Sequence, residues 1–369
     1  MLRPMNFRNQ RLLNVAVIGA GMAGATCARA LSSVGHSVHV FDKSNGAGGR
    51  LATRRVEWVD GEGRQRITRF DHGAPGFAAR SAGFRRFVNA GVQDGWLSEW
   101  APTLAPHSLP FDGAGPRYLA VPDMPAICRH LLNGTAATWA HRVDTLRRAS
   151  AGWQLEGQGG LFGGGFDAIV LAVPPAQAAH LLAAHHHDWA RRSALALMQP
   201  CWTLMGVSLI PQHTFGWDVA LPATGRLAWV ARNEARPRRG RPNSEVHWVA
   251  HARAGWSREH LEQPAAWVQL QMQAALGEWL DAPVRWQHAL VHRWRYAVPR
   301  AMGAASTGDC WWDPALRLGV CGDFLGTSGV EGAWLSARAL AKAMHATVSN
   351  LTLHRTDTLR GQPAPRLAA

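Results

Sequence analysis

The stretch from residue 14 to residue 50 constrains the fold more than any other part of this chain. It reads NVAVIGAGMAGATCARALSSVGHSVHVFDKSNGAGGR. This pattern predicts an apolar strand over Asn14–Ile18, a glycine turn, a helix with one buried face, and a second strand over Ser37–Phe41. A strand, a glycine turn and a helix in this order open a Rossmann-type parallel sheet with helices packed on it.

The glycine spacing adds a binding function to this unit. Gly19 allows the tight turn, Gly21 lets the backbone approach a pyrophosphate, and Gly24 lets the helix pack closely on the sheet. Asp42 follows the second strand, where a carboxylate accepts a hydrogen bond from a ribose hydroxyl. The helix N-terminus then faces the phosphates with its positive end. The residues expected to line a dinucleotide are Gly19, Ala20, Gly21, Met22, Ala23, Gly24, Asp42 and Lys43.

The net charge of the chain limits the classes of partner that we expect. The net charge is +14, and arginine carries almost all of it because the only lysines are Lys43 and Lys342. A solvated basic surface explains most of these arginines, and a few near the site would suit an anionic substrate, since guanidinium groups match phosphates. The sequence has no zinc, helix-turn-helix or RNA-binding signature, so we expect no nucleic acid partner.

The cysteines and the lengths of the apolar runs indicate in which cellular compartment the protein is expected. The five cysteines form no CxxC pair, which favours buried free thiols in a reducing cytoplasm. The basic N-terminus precedes the first strand and is not expected to be a signal peptide. No apolar run reaches the roughly 18–20 residues that a membrane span needs. His185, His186 and His187 lack the i, i+4 spacing of a zinc pair, so no metal site is expected.

The second half of the chain predicts an antiparallel sheet. Strands are expected over 200–210, 227–233 and 245–251, followed by a helix after Pro264. Residues 284–299 read VRWQHALVHRWRYAVP. Strand alternation places six side chains on one face: Trp286, His288, Leu290, His292, Trp294 and Tyr296. Of these we predict that Trp294 and Tyr296 stack a planar substrate, whereas ordinary core packing explains Trp286 and Leu290 equally well.

The remaining segments predict a hairpin, a further strand, a basic loop and a final helix. Residues 56–70 predict a hairpin with its turn at Asp60-Gly61, and 138–148 predict a strand. The loop 234–242 carries Arg236, Arg238, Arg239 and Arg241, and a flexible solvated loop is favoured over a phosphate clamp. The last helix is expected from about residue 328 to 346, with a loose tail beyond 350.

Two motifs resemble a flavoprotein group. Asn45–Thr53 (NGAGGRLAT) resembles the second glycine loop of the amine oxidase and phytoene desaturase group, and 318–334 (LGVCGDFLGTSGVEGAW) resembles its closing motif. The segment FDHGAPGFAAR at 70–80 and HRV at 141–143 resemble further parts. The resemblance implies a non-covalent FAD contacted by Gly49, Arg50, Gly73, Ala74, Val143, Gly322, Asp323, Val330, Glu331 and Ala333.

A narrower resemblance is to the bacterial renalase branch of this FAD-dependent superfamily. It is carried by LAWVARN (227–233), HWVAHARAGWSREHL (247–261), HRWRYAVP (292–299) and VCGDFLGTSGVEGAWLS (320–336). The resemblance implies an oxidase that returns aberrant 2- and 6-dihydro isomers of NAD(P) to NAD(P)+, by hydride transfer to flavin N5 and reduction of O2 to H2O2. The assembly, with a homodimer among the alternatives, stays open.

The predicted fold class is α/β, with a Rossmann-type FAD-binding domain and a smaller α+β substrate domain built on an antiparallel sheet. The FAD-binding domain is expected over 13–80, 135–182 and 298–347, and the substrate domain over 81–134 and 183–297, with loose tails at 1–12 and 350–369. Three other functions stay open: an amine oxidase, a carotenoid or porphyrinogen dehydrogenase, and a flavoprotein whose FAD is not catalytic. The absence of lysine from the predicted substrate domain disfavours a typical amine oxidase, and its many Arg and His residues disfavour the apolar tunnel of a dehydrogenase.

Overall fold

The computed structural model describes residues 12–112, 115–209, 215–239, 244–300 and 309–360, with the backbone alone for 348–360. Its strands are β1 (Asn14–Ile18), β2 (Ser37–Phe41), β3 (Arg54–Val59), β4 (Gln65–Phe70), β5 (Leu97–Trp100), β6 (Arg117–Ala120), β7 (Ala136–Thr138), β8 (Thr145–Ala149), β9 (Gly152–Gly157), β10 (Gly160–Phe166), β11 (Ala168–Leu171), β12 (Met198–Leu209), β13 (Val219–Ala220), β14 (Leu227–Arg232), β15 (Glu245–Ala252), β16 (Arg285–Pro299), β17 (Trp311–Asp313) and β18 (Leu318–Val320). Its helices are α1 (Met22–Ser32), α2 (Ala82–Gln93), α3 (Ala126–Leu131), α4 (Pro175–Leu182), α5 (His187–Leu195), α6 (Ala254–Glu259), α7 (Ala265–Leu280) and α8 (Gly329–Arg360).

The first layer is a six-stranded sheet in the order β17-β18-β11-β1-β2-β7. All neighbouring pairs are parallel except β17 with β18 at one edge. The central strand β11 is buried at every position because both faces of the sheet are covered. Helices α1 and α8 pack on one face, and β8, β9 and β10 with α4 cover the other. This arrangement confirms the predicted Rossmann-type sheet.

The glycine turn between β1 and α1 has the geometry that its spacing predicts. Gly19 has a φ of +106°, and a Cβ there would lie 2.4 Å from the carbonyl oxygen of Ala172. A Cβ on Gly24 would lie 1.8 Å from the carbonyl oxygen of Gly19. No side chain fits at either position, so α1 starts directly against the end of the sheet.

A second, five-stranded antiparallel sheet has the order β13-β14-β15-β12-β16. One face packs against α7 through an apolar cluster that includes Trp248, Val268 and Met272. The other face packs against the β3–β4 hairpin through a cluster that includes Trp58 and Phe70. The antiparallel sheet and the hairpin are both as predicted, and the fold class is confirmed.

A β-bulge divides the predicted aromatic face of β16. Val207 pairs with His288, but its neighbour Ser208 pairs with Trp286, which leaves one extra residue on β16. The extra residue reverses the alternation of side chains. Trp286 therefore packs on the α7 side of the sheet, whereas His288 stacks on Trp58 on the hairpin side. The prediction that all six side chains share one face is wrong for Trp286.

Three other expectations differ from the structure. Residues 141–143 form a loop between β7 and β8, not a strand. Helix α8 continues to Arg360, past both its predicted end at 346 and the start of the predicted tail at 350. Between Ala333 and Gly361 the sequence contains no glycine or proline that would end the helix earlier.

The proposed domain division stays a prediction, and residues of α2, β5 and α3 pack into the same core as α1 and α8.

Candidate functional site

The floor of the candidate site is built from two glycine loops in contact. The N–H of Gly48 donates to the carbonyl oxygen of Ala20 at 3.0 Å, and Gly21 forms an isolated bridge with Gly48. A Cβ on Gly49 would approach the Cα of Gly21 to 3.1 Å, and Gly49 has a φ of +55°. Side chains at these positions would fill the space above the α1 N-terminus. Their absence leaves backbone N–H groups open to a phosphate.

The acidic residue after β2 sits beside this turn. Asp42 accepts hydrogen bonds from the N–H groups of Ala20 and Ser44, both at 2.7 Å. Lys43 is exposed next to it, and Val143 is buried in the cluster that contains Phe41. The structure therefore brings together the residues predicted at the ribose and adenine end.

Arg50 joins three distant parts of the chain. Its Nη1 and Nη2 atoms donate to the two carboxylate oxygens of Asp323 at 2.8 Å and 2.6 Å. Nη1 also donates to the carbonyl oxygen of Ala297, at the end of β16, at 3.2 Å. A bidentate pair of this kind fixes both partners in orientation as well as distance. The second glycine loop, the closing motif and the strand entering from the antiparallel sheet thus meet at one side chain.

The start of α8 also lies at this junction. Asp323 accepts from the N–H of Gly329 at 3.2 Å, and Gly322 donates to the Ser336 hydroxyl at 2.9 Å. Gly329 has a φ of +88° and open space where a Cβ would point, so the positive end of α8 is accessible. Val330 is half-buried and Ala333 is buried in the first turn.

The side chain of Glu331 connects the start of α8 to the start of α2. Its carboxylate accepts from the backbone N–H groups of Arg80 at 2.8 Å and Ser81 at 2.6 Å, where α2 begins. Burial acts to raise the pKa of Glu331, but the bonds from Ser81 and Arg80 outweigh it and lower the pKa below its ordinary value. The carboxylate thus fixes the start of α8 against the start of α2.

Gly73 and Ala74 form a short strip that follows the β3–β4 hairpin and bonds to the second glycine loop. The N–H of Gly73 donates to Ala52 at 3.2 Å, and that of Ala74 donates to Arg50 at 2.9 Å. A Cβ on Gly73 would lie 2.1 Å from the carbonyl oxygen of Arg50, so only glycine fits. The strip places His72, which directly precedes it, at the edge of the site.

Two histidines and a tryptophan form an aromatic wall above this strip, which we call the His/Trp wall: His72, His292 and Trp294. His72 stacks on Trp294 with ring centres 5.1 Å apart, and His292 meets both rings edge-on at 4.8 Å and 4.4 Å. The Trp294 indole N–H donates to the carbonyl oxygen of His72 at 3.1 Å. Burial lowers the pKa of His72 to about 3 and that of His292 to about 4, with smaller contributions from neighbouring positive charges. Both rings are neutral at pH 7.

Of the two predicted stacking residues, Trp294 contacts the other rings of the His/Trp wall and Tyr296 does not. Trp294 belongs to the His/Trp wall, and its pairing with Cys201 continues the regular alternation of β16. The register shifts between Gln199 and Cys201, so the chain around Tyr296 is irregular. Tyr296 is half-buried and makes no ring contact with another aromatic side chain in the described ranges.

The loop after β14 contains a charge cluster that sequence reasoning placed in solvent. Arg236 is 3% exposed, and Arg239 donates to the Asp71 carboxylate at 2.8 Å. Asp71 also accepts from the Thr53 hydroxyl through a short hydrogen bond. The expectation of a solvated loop is therefore wrong for Arg236 and Arg239, because Asp71 draws them inward. It holds for Arg238, which is exposed, while Arg241 lies outside the described residues.

One sequence signal could have indicated this cluster. Asp71 follows a strand and precedes His72 in a buried, glycine-rich segment, and a buried carboxylate needs a cationic or hydrogen-bonding partner. No local pattern names that partner, because Arg236 is 165 positions away and is brought close only by the antiparallel sheet.

Histidines and cysteines elsewhere carry no metal site in the part of the chain that the structure describes. His186 accepts from the N–H of Trp189 at the start of α5 and stacks on its ring. The cysteines are all free, with Cys27, Cys128 and Cys321 buried. In the described ranges, no helix is long and apolar enough to cross a membrane.

The residues at the candidate site fit FAD. The two glycine loops leave the space that a pyrophosphate needs, and the accessible N-terminus of α8 at Gly329 is connected to the second loop through Asp323 and Arg50. Gly21 and Gly49 would hold the phosphates, Asp42 the ribose, and the start of α8 the flavin ring. The individual contacts to FAD stay a prediction.

Comparison with known proteins supports the fold. Residues 17–90 match the family described as NAD(P)-binding Rossmann-like domain. A crystal structure named "Putative protoporphyrinogen oxidase" from Exiguobacterium sp. 255-15 superposes with a TM-score of 0.67 at 9% sequence identity, covering 94% of this chain and 100% of that chain. Cyclohexylamine oxidase from Brevibacterium oxydans IH-35A gives a TM-score of 0.61 at 13% identity, covering 92% and 100%. A redesigned putrescine oxidase gives 0.55 at 15% identity, covering 91% and 100%.

At these identities the similarity establishes a shared fold. The chain shares the α/β architecture of these solved structures, with a parallel Rossmann-like sheet and an antiparallel sheet. The predicted resemblance to this group is confirmed for the fold, and the narrower resemblance to the renalase branch stays a prediction.

Proposed function

We propose that this protein is an FAD-dependent oxidoreductase that oxidises 2- and 6-dihydro isomers of NAD(P) to NAD(P)+, with O2 as electron acceptor. Bound FAD would supply the redox chemistry by accepting a hydride at N5 and passing the electrons to O2, which becomes H2O2. The chain itself has to bind FAD, hold a planar substrate in line with the flavin, and exclude water. The observation that carries the proposal is the uncharged His/Trp wall, two of whose rings are on β16, the strand that also bonds Arg50 through Ala297.

The His/Trp wall suits a substrate that loses a hydride and no proton. His72 and His292 are neutral at pH 7. His72 is buried behind the other two rings, and the half-buried His292 and Trp294 would contact a planar partner. Oxidation of a dihydropyridine needs alignment at near-attack distance, whereas no substrate O–H or N–H has to be deprotonated. A wall of fixed aromatic rings supplies that alignment.

The local charge favours an anionic substrate over a protonated amine. Arg236 and Arg239 share the single carboxylate of Asp71, and Arg54 lies close enough to lower the pKa of His72 by its charge. A cationic amine would be repelled by this excess of positive charge, and a phosphate-bearing substrate would be attracted. The chain's lysines are remote from the wall, at the ribose end and on α8.

Amine oxidation is the second candidate because two proteins of this fold are amine oxidases, cyclohexylamine oxidase and putrescine oxidase. An amine would have to bind in its neutral form beside the His/Trp wall. This alternative predicts activity that rises at alkaline pH, as the neutral fraction of the amine increases.

An anaerobic experiment separates the two functions. The purified yellow protein is mixed with isomerised NAD(P)H, with ordinary 4-dihydro NAD(P)H, and with cyclohexylamine and putrescine, while flavin absorbance is followed. Air is then admitted and peroxide is assayed. We expect bleaching by the 2- and 6-dihydro isomers alone, followed by one peroxide for each substrate oxidised. Bleaching by an amine, with the dihydro isomers inert, would replace the proposal with amine oxidation.

A further inference from the structure

We infer that Arg236, Arg239 and the indole N–H of Trp229 form a subsite that binds an oxoanion of the substrate, a phosphate or a carboxylate, on the inner face of the antiparallel sheet. The subsite rests on the proposed function in one respect: the oxoanion is taken to belong to the molecule whose ring lies at the His/Trp wall. Its anion-binding capacity is independent of that reaction.

Arg236 is a buried cation whose hydrogen-bonding capacity is only partly used. Its side chain is 2% exposed. Nη2 donates to the carbonyl oxygen of Pro75 at 3.4 Å, and the guanidinium lies over the Trp100 ring at 5.5 Å. Nε and Nη1 are buried and form no hydrogen bond in the described structure. Nη1 still lies 3.5 Å from the Asp71 carboxylate, so Nε is the donor without any partner. Buried donors are normally paired, and this one indicates that an acceptor belongs beside it.

The cluster also has one positive charge too many. The same Asp71 oxygen lies 2.8 Å from Arg239 and 3.5 Å from Arg236. Its other oxygen is engaged by the Thr53 hydroxyl and, at 3.4 Å, by the N–H of Met124. One carboxylate thus serves two guanidinium groups, and a second anion would neutralise the remainder.

Neighbouring side chains add unpaired polar atoms on the same face. Trp229 and His251 are cross-strand partners on β14 and β15, so their side chains point to the same side of the sheet. The Trp229 ring centre is 6.3 Å from that of Trp100, on which Arg236 lies. Trp229 Nε1 and His251 Nε2 are both buried without a hydrogen-bond partner. An indole N–H can only donate, so Trp229 together with Arg236 favours a ligand rich in acceptors, whereas Nε2 of the neutral His251, whose ring bonds the His72 backbone, can only accept.

The position of the subsite connects it to the candidate active site. Pro75, which accepts from Arg236, follows Ala74, whose N–H donates to Arg50. Asp71 directly precedes His72 of the His/Trp wall. A substrate ring at the wall would therefore place an attached phosphate or carboxylate within reach of the arginine pair.

Direct anion binding by the FAD-loaded protein tests the subsite without turnover. Inorganic phosphate, pyrophosphate and malonate are titrated at constant ionic strength, and binding is followed by tryptophan fluorescence and by the thermal unfolding midpoint. We expect saturable binding by the wild type and at least about tenfold weaker binding by Arg236→Met. Arg238→Gln is the matched control, because Arg238 is on the same loop but exposed, and it should bind within about twofold of the wild type.

Two further variants keep the test decisive if Arg236→Met does not fold. Arg236→Lys keeps the charge but loses Nε and the planar fork, and Trp229→Phe removes only the indole donor. Each should weaken anion binding by about threefold or more while FAD content stays at the wild-type level. Absence of saturable anion binding by the wild type, or equal binding by these variants and Arg238→Gln, would overturn the subsite. The tighter of phosphate and malonate identifies the class of oxoanion.

Substrate kinetics then separate the subsite from the proposed reaction. The 2- and 6-dihydro isomers of nicotinamide mononucleotide carry a phosphate, and those of nicotinamide riboside do not. Arg236→Met should raise KM about tenfold for the mononucleotide and leave the riboside nearly unchanged. If no dihydropyridine is oxidised but anion binding still depends on Arg236, the reaction is wrong and the subsite stands. If both substrates respond equally to the substitution, the subsite does not hold the substrate.

Discussion

Replacing Asp71 by Asn should destabilise the protein strongly although the two side chains have the same shape. The Asp71 carboxylate is buried, pairs with Arg239 at 2.8 Å and Arg236 at 3.5 Å, and accepts from Thr53. Asparagine keeps one acceptor oxygen but no charge. Two guanidinium groups would then be left in a poorly solvated place with no counter-charge.

The expected loss follows from that geometry. Removing one partner of a buried ion pair costs about 3–5 kcal/mol, because the other charge stays buried and unpaired. Asparagine can still bond to Thr53, and Arg239 can turn partly toward solvent because its side chain is 14% exposed. We therefore expect the lower end, about 3 kcal/mol. At about 2 °C for each kcal/mol in a chain of this size, the unfolding midpoint should fall by about 6 °C.

Thermal unfolding followed by circular dichroism checks this value with FAD bound. The matched control is Glu57→Gln, since Glu57 and its partner Arg55 are 61% and 51% exposed and a surface pair contributes little. Its midpoint should change by about 2 °C or less. The Asp71→Asn, Arg239→Gln double variant should lose less than the sum of the two single variants. A midpoint for Asp71→Asn as high as that of Glu57→Gln would refute the account of a buried, mutually dependent charge cluster.

Three other perturbations have defined outcomes. Gly24→Ala puts a Cβ 1.8 Å from a backbone carbonyl oxygen and should cost about 3 kcal/mol or more in urea unfolding, with loss of FAD; Gly46→Ala, which meets nothing within 4 Å, is the control, and equal stability of the two would contradict the packing argument. Burial lowers the folded pKa of His72 to about 3, against about 6.5 in the unfolded chain. Its contribution to stability is therefore present above pH 6.5 and is lost at about 1.4 kcal/mol per pH unit as the pH falls from 6.5 toward 3. The urea midpoint should be lower at pH 5.5 than at pH 7, and this difference should be smaller in His72→Gln. Trp294→Phe removes the indole bond to the His72 carbonyl oxygen and should slow flavin reduction about tenfold in stopped flow, whereas Trp286→Phe, on the opposite face, should not; equal rates would exclude Trp294 from the site.

The parts of this protein that were predictable from sequence depend on short-range steric and periodic rules. Gly24 is such a case, because a Cβ there would collide with the nearby carbonyl oxygen of Gly19, whereas a Cβ on Gly19 would collide with Ala172 from a distant segment. The antiparallel strands and the β3–β4 hairpin were predictable for the same reason, since alternation and turn residues act locally. The resemblance of the two glycine motifs to one flavoprotein group located both ends of the candidate site.

The parts that were missed depend on contacts between distant segments. A single extra residue in β16 turns Trp286 to the other face of the sheet, and alternation read from the sequence contains no sign of it. The carboxylate of Glu331 is engaged by the start of α2, 250 positions earlier, so the motif residue is partly structural.

The Rossmann-type unit, the antiparallel sheet and the two glycine loops could be predicted from the residue order, because glycine spacing and side-chain periodicity are local patterns. Which charges are buried depends on the tertiary fold. Arg236 and Arg239 lie in a loop whose sequence is typical of an exposed one, yet Asp71 holds them inside because an isolated buried carboxylate would be more costly than a shared one. Charge burial depends on every segment that excludes water from a site, and for Asp71 those segments are the hairpin, the loop after β14 and the N-terminal approach to α3.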